Sequence, residues 1–248
     1  MKRGRRVPLS LSRRFIVEHC HFSSLTQKGV FTKKIYIATL LRALANNPNK
    51  PPMTLVFLKA FALVAANMPE LRRSYIKLPW PQLHELDHSV GMLPVTREMN
   101  GEEVVLMAQF RDPAATAFAE LTSALAYQKS SPIKEVKNFD RIFKFMSLPW
   151  PLRRLAFWIG LNSARHKPKF FGTFAISSVG TAEVVYAIHP LTTLVSYGLI
   201  DKINGFVDVT ISFDHRVYDG MTVARAYEAL EIVLNGAVAN EISALKSN

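Results

Sequence analysis

A strictly alternating segment near the carboxyl end of the sequence places the tightest limit on the fold. In residues 205–215, GFVDVTISFDH, apolar side chains occupy every second position from Val207 to Phe213, with polar residues between them. Alternation with period two predicts a β-strand that buries one face. A helix-favouring segment, residues 219–235, follows almost at once. A half-buried strand that leads directly into a helix indicates an α/β sandwich with one large core.

Other segments agree with a mixed fold. Residues 54–66, TLVFLKAFALVAA, are almost wholly apolar and predict a helix that is buried nearly all round. Asp112-Pro113 predicts the start of another helix, since Asp caps free amides and Pro suits the first helical position. Gly236 is predicted to end the helix at 219–235. Shorter strands are predicted at 34–38, 90–95, 103–109, 173–179, 184–188 and 193–199.

Composition excludes several classes of protein. The sequence has 248 residues, 49% of them hydrophobic and 20% charged, which excludes a disordered chain. Its one cysteine, Cys20, excludes a disulfide scaffold. No uncharged apolar run reaches the roughly 18 residues of a membrane span, and no apolar stretch follows the basic start, so no secretory signal is predicted. We therefore expect a cytoplasmic protein, with peripheral attachment to a membrane as an alternative.

The positive charge is concentrated in two segments. The net charge is +12, to which residues 1–14 contribute +6 and residues 132–170 contribute +7, so the rest is nearly neutral. Such segments attract phosphates, anionic lipid headgroups or acidic proteins, and a solvated surface without a specific partner is the alternative. The sequence has no helix-turn-helix, zinc-finger spacing or aromatic RNA-binding consensus, so we expect no nucleic-acid partner.

One of these segments has an unusual composition. Residues 139–163 mix Phe, Trp and Leu with Lys and Arg, and Pro149 and Pro151 split them into two short predicted helices. Basic residues beside Trp and Phe suit a lipid interface, so an anionic membrane surface is one expected partner. The alternative is a helical hairpin packed on the body or on a neighbouring subunit. We interpret residues 1–248 as a single domain with a basic-aromatic helical insertion at about 132–170.

The segment SFDHRVYDG carries the candidate chemistry. His215 continues the apolar phase of the predicted strand, so its side chain is expected to point toward the interior or a cleft. A neutral imidazole there suits a general base, because its ordinary pKa of about 6.5 lies near working pH. Asp219 is placed to cap the following helix, and Gly220 permits a close backbone approach. From these residues alone, a structural histidine with an aspartate cap remains the alternative. Asp214 alternates to the opposite side, so we do not expect it to partner His215.

This segment resembles the H-x-x-x-D-G signature of the dihydrolipoyl acyltransferases of 2-oxoacid dehydrogenase complexes, which chloramphenicol acetyltransferase shares in related form. Residues 171–180, FGTFAISSVG, are similar to that family's G-T-F-T-I-S-N-x-G strand. Residues 54–71 resemble its buried helix ending in P-E-L-N, and residues 90–95 resemble its I-G-V-A-V strand. The resemblance covers roughly residues 8–245, the catalytic domain without a lipoyl domain. It implies a chloramphenicol acetyltransferase-like fold, a mixed β-sheet flanked by helices, and a trimer with its active site between subunits.

The resemblance also implies roles for individual residues. His215 matches the general base that takes the proton from a thiol, and Ser177 matches the serine that stabilises the tetrahedral oxyanion. Asp219 matches a carboxylate that holds the architecture of the site, with Arg13 or Arg14 as its candidate partner. The implied activity is transfer of an acyl group from a thioester to a thiol or hydroxyl acceptor, with coenzyme A as the acyl-carrying co-substrate and no metal.

Two further alternatives keep the same fold. One is a catalytically inactive trimeric scaffold, and the other is a membrane-surface binding protein. If the protein is an acyltransferase, the basic segments 1–14 and 139–163 could bind the phosphates of coenzyme A, an acidic carrier protein or an anionic membrane.

A zinc-protease pattern at residues 84–88, HELDH, is set aside. It needs a helix to bring both histidines to one metal, but Pro79 and Pro81 lie just upstream and a strand-like stretch follows. In an extended chain the two histidines are about 13 Å apart, too far to share a zinc ion.

Overall fold

A six-stranded mixed sheet forms the centre of the protein in the computed structural model, which describes residues 9–99, 101–178 and 189–245. The strands are β1 (Lys28–Tyr36), β2 (Arg73–Ile76), β3 (Gln82–Glu85), β4 (Val90–Met99), β5 (Glu102–Arg111), β6 (Phe174–Ser177), β7 (Thr193–Asp201) and β8 (Phe206–Asp214). The main sheet has the order β1-β8-β7-β6-β4-β5, and β2 pairs with β3 separately. Strand β6 runs parallel to β4 and β7, while the other neighbours are antiparallel. The predicted mixed α/β sheet is confirmed.

Helices flank this sheet. They are α1 (Leu11–Ser23), α2 (Ala38–Ala45), α3 (Met53–Asn67), α4 (Phe118–Ser130), α5 (Lys137–Ser147), α6 (Trp150–Asn162), α7 (Lys167–Phe171), α8 (Gly220–Val233) and α9 (Ala239–Ala244). Within the described ranges, no helix combines the length and the apolar character needed to cross a bilayer.

Helix α3 is the central helix of the main core, as its sequence predicts. It buries apolar residues on all sides, and its Phe57 ring stacks on Tyr197 of β7 with 4.3 Å between centroids. Its one charged residue, Lys59, is also buried. The Lys59 ammonium group forms an ion pair with Glu241 at 2.6 Å and donates to the Thr116 carbonyl at 2.8 Å. These two partners compensate for the burial of a charge in an apolar helix.

The region 132–170 forms a second, smaller packing unit. Helices α5 and α6 lie on either side of Pro149, as predicted, and α7 follows. Apolar side chains from α5 and α6 pack with Phe22 of α1 in a cluster separate from the main core. Between α1 and α6, the fully buried Glu18 carboxylate accepts from Arg153 at 3.4 Å and from Arg154 at 3.3 Å. One side of the hairpin therefore packs on the body of the protein.

Two predicted helix boundaries are wrong. No helix begins at Asp112-Pro113: Asp112 has φ 44° in a turn, its N–H donates to the Ser89 carbonyl, and the helix starts only at Phe118. Gly236 does not end α8, because residues Leu234–Val238 form a π-helical turn that continues into α9. In both places contacts with the rest of the chain override a local sequence signal.

Some predictions fall outside the described residues. The predicted strand at 184–188 lies there, as do residues 1–8 of the basic amino-terminal segment. The pattern at residues 84–88 is described, and its first histidine, His84, lies in strand β3 rather than in a helix.

Candidate functional site

His215 lies just beyond the end of strand β8. Its N–H donates to the Gln27 carbonyl at 3.0 Å, and its ring is tilted against the Phe213 ring with 5.5 Å between centroids. The residue is exposed in the single chain, so the expectation that its side chain points into the interior is wrong for one chain alone, and its place in a cleft stays a prediction. The physical reason is that the pairing of β8 with β1 ends at Asp214, which leaves His215 past the margin of the sheet.

The turn that carries His215 is fixed by an ion pair between its two neighbours. Arg216 donates to the buried Asp214 carboxylate through Nε at 2.9 Å and Nη2 at 2.7 Å. Burial alone would raise the pKa of Asp214, but the Arg216 guanidinium outweighs it and holds that pKa below its ordinary value. A two-point ion pair with one partner buried gives the turn a defined shape.

A buried tyrosine secures the other side of the turn. The Tyr218 ring stacks on Phe213 with 5.2 Å between centroids, and its hydroxyl lies 2.5 Å from Thr193 Oγ1. Burial raises the pKa of Tyr218, so this hydroxyl stays protonated at neutral pH. His215 is therefore exposed on a turn that the Asp214–Arg216 ion pair holds on one side and the buried Tyr218 holds on the other.

Asp219 and Gly220 begin helix α8. Asp219 occupies the cap position, and its carbonyl accepts from the Val223 N–H at 3.3 Å, but its carboxylate makes no capping hydrogen bond. A Cβ atom on Gly220 would lie 3.2 Å from the Phe31 ring, in agreement with the predicted close approach.

The two candidate arginine partners of Asp219 are engaged elsewhere in the single chain. Arg13 lies 3.7 Å from Glu102, and Arg14 Nε donates to the Leu9 carbonyl at 3.2 Å. Within the described residues, no hydrogen bond or ion pair joins either arginine to Asp219.

Ser177 is the last residue of β6 and is half-buried. It lies opposite Ser196 of β7, which in turn lies opposite Thr210 of β8. His215 follows Thr210 by five residues, which corresponds to roughly 17 Å along the strand direction. Ser177 is therefore level with the middle of β8, whereas His215 lies beyond the end of that strand, and one chain does not bring them together.

Comparison with solved structures identifies the fold. A probable dihydrolipoamide acetyltransferase from Listeria monocytogenes superposes with a TM-score of 0.63 at 14% identity, over 99% of this chain and 98% of the other. The dihydrolipoamide acetyltransferase of Azotobacter vinelandii gives 0.65 at 16% identity, over 95% and 93%. A chloramphenicol acetyltransferase gives 0.52 at 13% identity, over 91% and 98%. The chain has the chloramphenicol acetyltransferase-like fold. No family model and no curated protein sequence matches it.

Next to the SFDHRVYDG segment, this chloramphenicol acetyltransferase-like chain holds a partly buried group of polar residues that sequence reasoning missed. The Lys28 ammonium group donates to the Leu191 carbonyl at 2.5 Å and lies 3.3 Å from His189 Nδ1. His189 Nε2 lies 3.0 Å from Ser212 Oγ. Burial lowers the pKa of Lys28 to about 7 and holds that of His189 well below its ordinary value. The sequence gives little sign of this group. Lys28 comes to lie opposite Asp214 only through the register of strands β1 and β8, which the sequence does not specify.

The described part of the fold holds no group of three or more His, Cys, Asp or Glu side chains arranged to bind a metal ion. The chemistry that these residues can perform is acid–base chemistry at an exposed imidazole and hydrogen bonding from a serine hydroxyl.

Proposed function

We propose that this protein transfers an acyl group from a thioester to a thiol or hydroxyl acceptor. One observation carries the proposal: the SFDHRVYDG segment folds as strand, fixed turn and helix, with His215 exposed at the strand end. The fold is also that of solved acyltransferases. A turn held so firmly around an exposed imidazole suits a residue that must meet a substrate.

His215 acts as the general base in this proposal. An ordinary thiol has a pKa of about 8.5 and is mostly protonated at neutral pH, so a positioned base is needed. The imidazole takes the proton from the acceptor, and the resulting anion attacks the thioester carbonyl carbon. The tetrahedral oxyanion accepts a hydrogen bond from the Ser177 hydroxyl. Collapse of this intermediate breaks the carbon–sulfur bond, and the departing thiolate recovers the proton from the imidazolium.

The proposed site forms between two copies of the chain. The separation of Ser177 from His215 in one chain supports a site in which the serine comes from a neighbouring copy. A similar structure is the cubic core of a pyruvate dehydrogenase multienzyme complex, which is itself an assembly of many copies. We propose a homotrimer, in which each contact between subunits supplies one site.

Asp219 acts in this proposal as a positioning residue. The Azotobacter vinelandii structure was determined to study a serine, a histidine and an asparagine in catalysis, and that asparagine follows the histidine by four residues. Asp219 follows His215 at the same spacing, with a carboxylate in place of the amide. Within one chain neither Arg13 nor Arg14 reaches it, so the proposed pairing with one of them would form in the assembled protein.

The proposed donor is a coenzyme A thioester or a thioester on an acidic carrier protein. Coenzyme A carries phosphates and an acidic carrier protein carries carboxylates, and the excess of positive charge in this chain would attract either. Coenzyme A is then a co-substrate, and the proposed location is the cytoplasm.

The experiment compares three variants with a panel of acyl-coenzyme A thioesters and thiol acceptors. His215→Ala should lower the rate of acyl transfer by about 10² to 10⁴, the usual contribution of a general base. Ser177→Ala should lower it by about 10² to 10³, the cost of one oxyanion donor. His88→Ala, a change at another exposed histidine, should leave it unchanged. An unaltered rate in His215→Ala would remove the mechanism, and failure of the unmodified protein to turn over or bind any thioester would favour an inactive scaffold.

We propose a second function, attachment to an anionic membrane, on a different observation. Helix α6 exposes a row of large apolar side chains, with Trp150 and Leu152 each 55% and Leu155 53% accessible. The Arg154 guanidinium lies over the Trp150 ring at 5.1 Å, and Lys144 of α5 is exposed nearby in sequence. Apolar side chains flanked by cations suit the boundary between acyl chains and anionic headgroups.

Vesicle co-sedimentation tests the membrane proposal. Vesicles of phosphatidylcholine with phosphatidylserine should retain the protein, and vesicles of phosphatidylcholine alone should retain less of it. The double variant Leu152→Gln/Leu155→Gln should lose this binding, while Ile203→Gln, at an apolar residue exposed elsewhere, should keep it. Equal vesicle binding by both variants contradicts the proposal. So does a double variant that still binds vesicles but dissociates into single chains, because the apolar row would then be a contact between subunits.

A further inference from the structure

A narrow cleft opens on the side of the protein where the insertion meets the turn that carries His215. Its walls include Tyr75, the aromatic ring of Trp158, and the side chains of Lys77, Lys167 and Arg216. The cleft has about 40 Å³ of room, where a single water needs roughly 10–15 Å³. It can therefore admit a group of a few heavy atoms.

Two of the lining cations are held rigidly. Lys167 is only 4% exposed, and its ammonium group donates to the Tyr75 carbonyl at 3.0 Å. Among the described residues no other acceptor takes its remaining two N–H bonds. Arg216 is held by Asp214 through Nε and Nη2 and lies over the Tyr75 ring at 4.5 Å, and in the described part of the chain its Nη1 has no acceptor. Both side chains thus keep donors that no described residue accepts from.

The charges around the cleft do not balance. Lys28 lies behind it, close enough to Lys167, Arg216 and Asp214 for their charges to shift its pKa. Three cations thus surround one carboxylate, Asp214, while exposed Lys77 stands at the mouth. The nearby His189 is buried and neutral, so it adds no charge at neutral pH. With all three bases protonated, this partly buried group would carry a net charge of +2, which is costly unless the lysines lose protons or an anion enters.

The same imbalance of charge acts on the pKa values of the two lysines. Burial lowers the pKa of Lys167 to about 8 and that of Lys28 to about 7, and the neighbouring Arg216 lowers both further. Asp214 opposes this shift only in part. A bound anion would supply the missing negative charge and raise both values.

We propose that this cleft binds a phosphate group in its dianionic form. A dianion matches the charge that the surrounding residues carry when both lysines are protonated, and its oxygens can accept from both Lys167 and Arg216. The available room suits one small tetrahedral group. Because Lys167 and Trp158 come from the insertion and Arg216 adjoins His215, phosphate would tie the insertion to the turn that carries the imidazole. This proposal does not depend on the proposed acyl transfer.

Calorimetric titration with inorganic phosphate tests the site. The titration is run at pH 8 in two buffers with different ionisation enthalpies. At pH 8 Lys167 is about half protonated and Lys28 is mostly neutral. A bound phosphate that raises both pKa values should therefore draw protons from the buffer, up to about half a proton at Lys167 and most of one at Lys28. Lys167→Gln should weaken phosphate binding about tenfold or more, the loss of one charge-assisted hydrogen bond, and should reduce the proton uptake. Lys169→Gln removes the same charge from the same helix outside the cleft and should change neither quantity.

Titrations with two other ligands show whether the phosphate is free or part of a larger molecule, and whether the site prefers a dianion to a monoanion. Phenyl phosphate should bind more tightly than inorganic phosphate if the phosphate belongs to a larger molecule that contacts Tyr75 and Trp158, and no tighter if free phosphate is the ligand. Acetate, a monoanion, should bind more weakly than either. Should Lys167→Gln fail to fold, the exposed Lys77→Gln carries the test and should weaken binding several-fold. Equal affinity of the unmodified protein, Lys167→Gln and Lys77→Gln overturns the proposal, as does acetate binding as tightly as phosphate or the absence of phosphate binding.

Discussion

At the scale of single residues, the buried Lys167 and the half-buried Lys28 should make the stability of the fold depend on pH. The pKa of Lys28 is about 7 and that of Lys167 about 8, while an unfolded lysine titrates near 10.5. Between these values the unfolded chain binds more protons than the folded chain, so the free energy of unfolding should rise with pH. Each lysine contributes at most about 1.4 kcal/mol per pH unit in this window. Urea unfolding at pH 7, 8 and 9 checks this, and a stability that falls from pH 7 to 9 would contradict it.

A matched variant isolates the lysine effect from other titrations. Lys28→Met removes one of the two groups, so its stability should rise less steeply with pH than that of the unmodified protein. The tyrosines do not disturb this window: burial raises the pKa of Tyr218 and Tyr227, and their loss of protons in the unfolded state matters only above about pH 10. A slope unchanged by Lys28→Met would show that this lysine is not titrating between folded and unfolded states.

Residue-level prediction from the sequence succeeded where the signal is local. Gly220 was predicted from its place after a strand and before a helix, and a Cβ atom there would lie 3.2 Å from the Phe31 ring. The outward exposure of His215 was not predicted. The alternation of side chains between the two faces holds only within the strand, and β8 ends at Asp214, one residue before His215. Lys28 and Lys167 could not be recognised, since their burial beside Asp214 joins segments more than 40 residues apart.

At the scale of helices and strands, one buried carboxylate fastens the insertion to the body. Glu18 of α1 is fully buried between Arg153 and Arg154 of α6. Glu18→Ala leaves the buried Arg153 without its counter-charge, which should cost on the order of 3 kcal/mol of unfolding free energy. Chemical denaturation measures the loss.

The double variant separates loss of the ion pair from loss of packing. Glu18→Leu/Arg153→Met replaces both charges by apolar side chains and should recover most of the stability that Glu18→Ala loses. A single variant that loses less than about 0.5 kcal/mol would show that α1 and α6 do not depend on this contact.

Segments with a strong period were predicted correctly, and segments that depend on a single capping signal were not. The apolar run at 54–66 and the alternating run at 205–215 fix their own structure, because burial of a whole face outweighs any one residue. Asp112-Pro113 instead sits in a turn that is held by the backbone of Ser89, a partner that local sequence does not specify.

At the scale of the whole molecule, the order of the strands separates the two candidate catalytic residues. Strand β7 lies between β6 and β8 and brings Ser177 level with Thr210 rather than with His215. The mixed α/β class was predictable from the sequence, since it follows from the sum of local patterns. The distance between Ser177 and His215 was not, since it depends on register across three strands.

The most direct test of the account mixes two inactive variants. His215→Ala and Ser177→Ala chains are each expected to lack activity alone. When they are unfolded together and refolded in equal amounts, roughly one quarter of the contacts between subunits should combine an intact His215 from one chain with an intact Ser177 from another. Acyl transfer should then recover to about a quarter of the unmodified rate. A mixture no more active than the separately refolded variants would contradict a site shared between two copies.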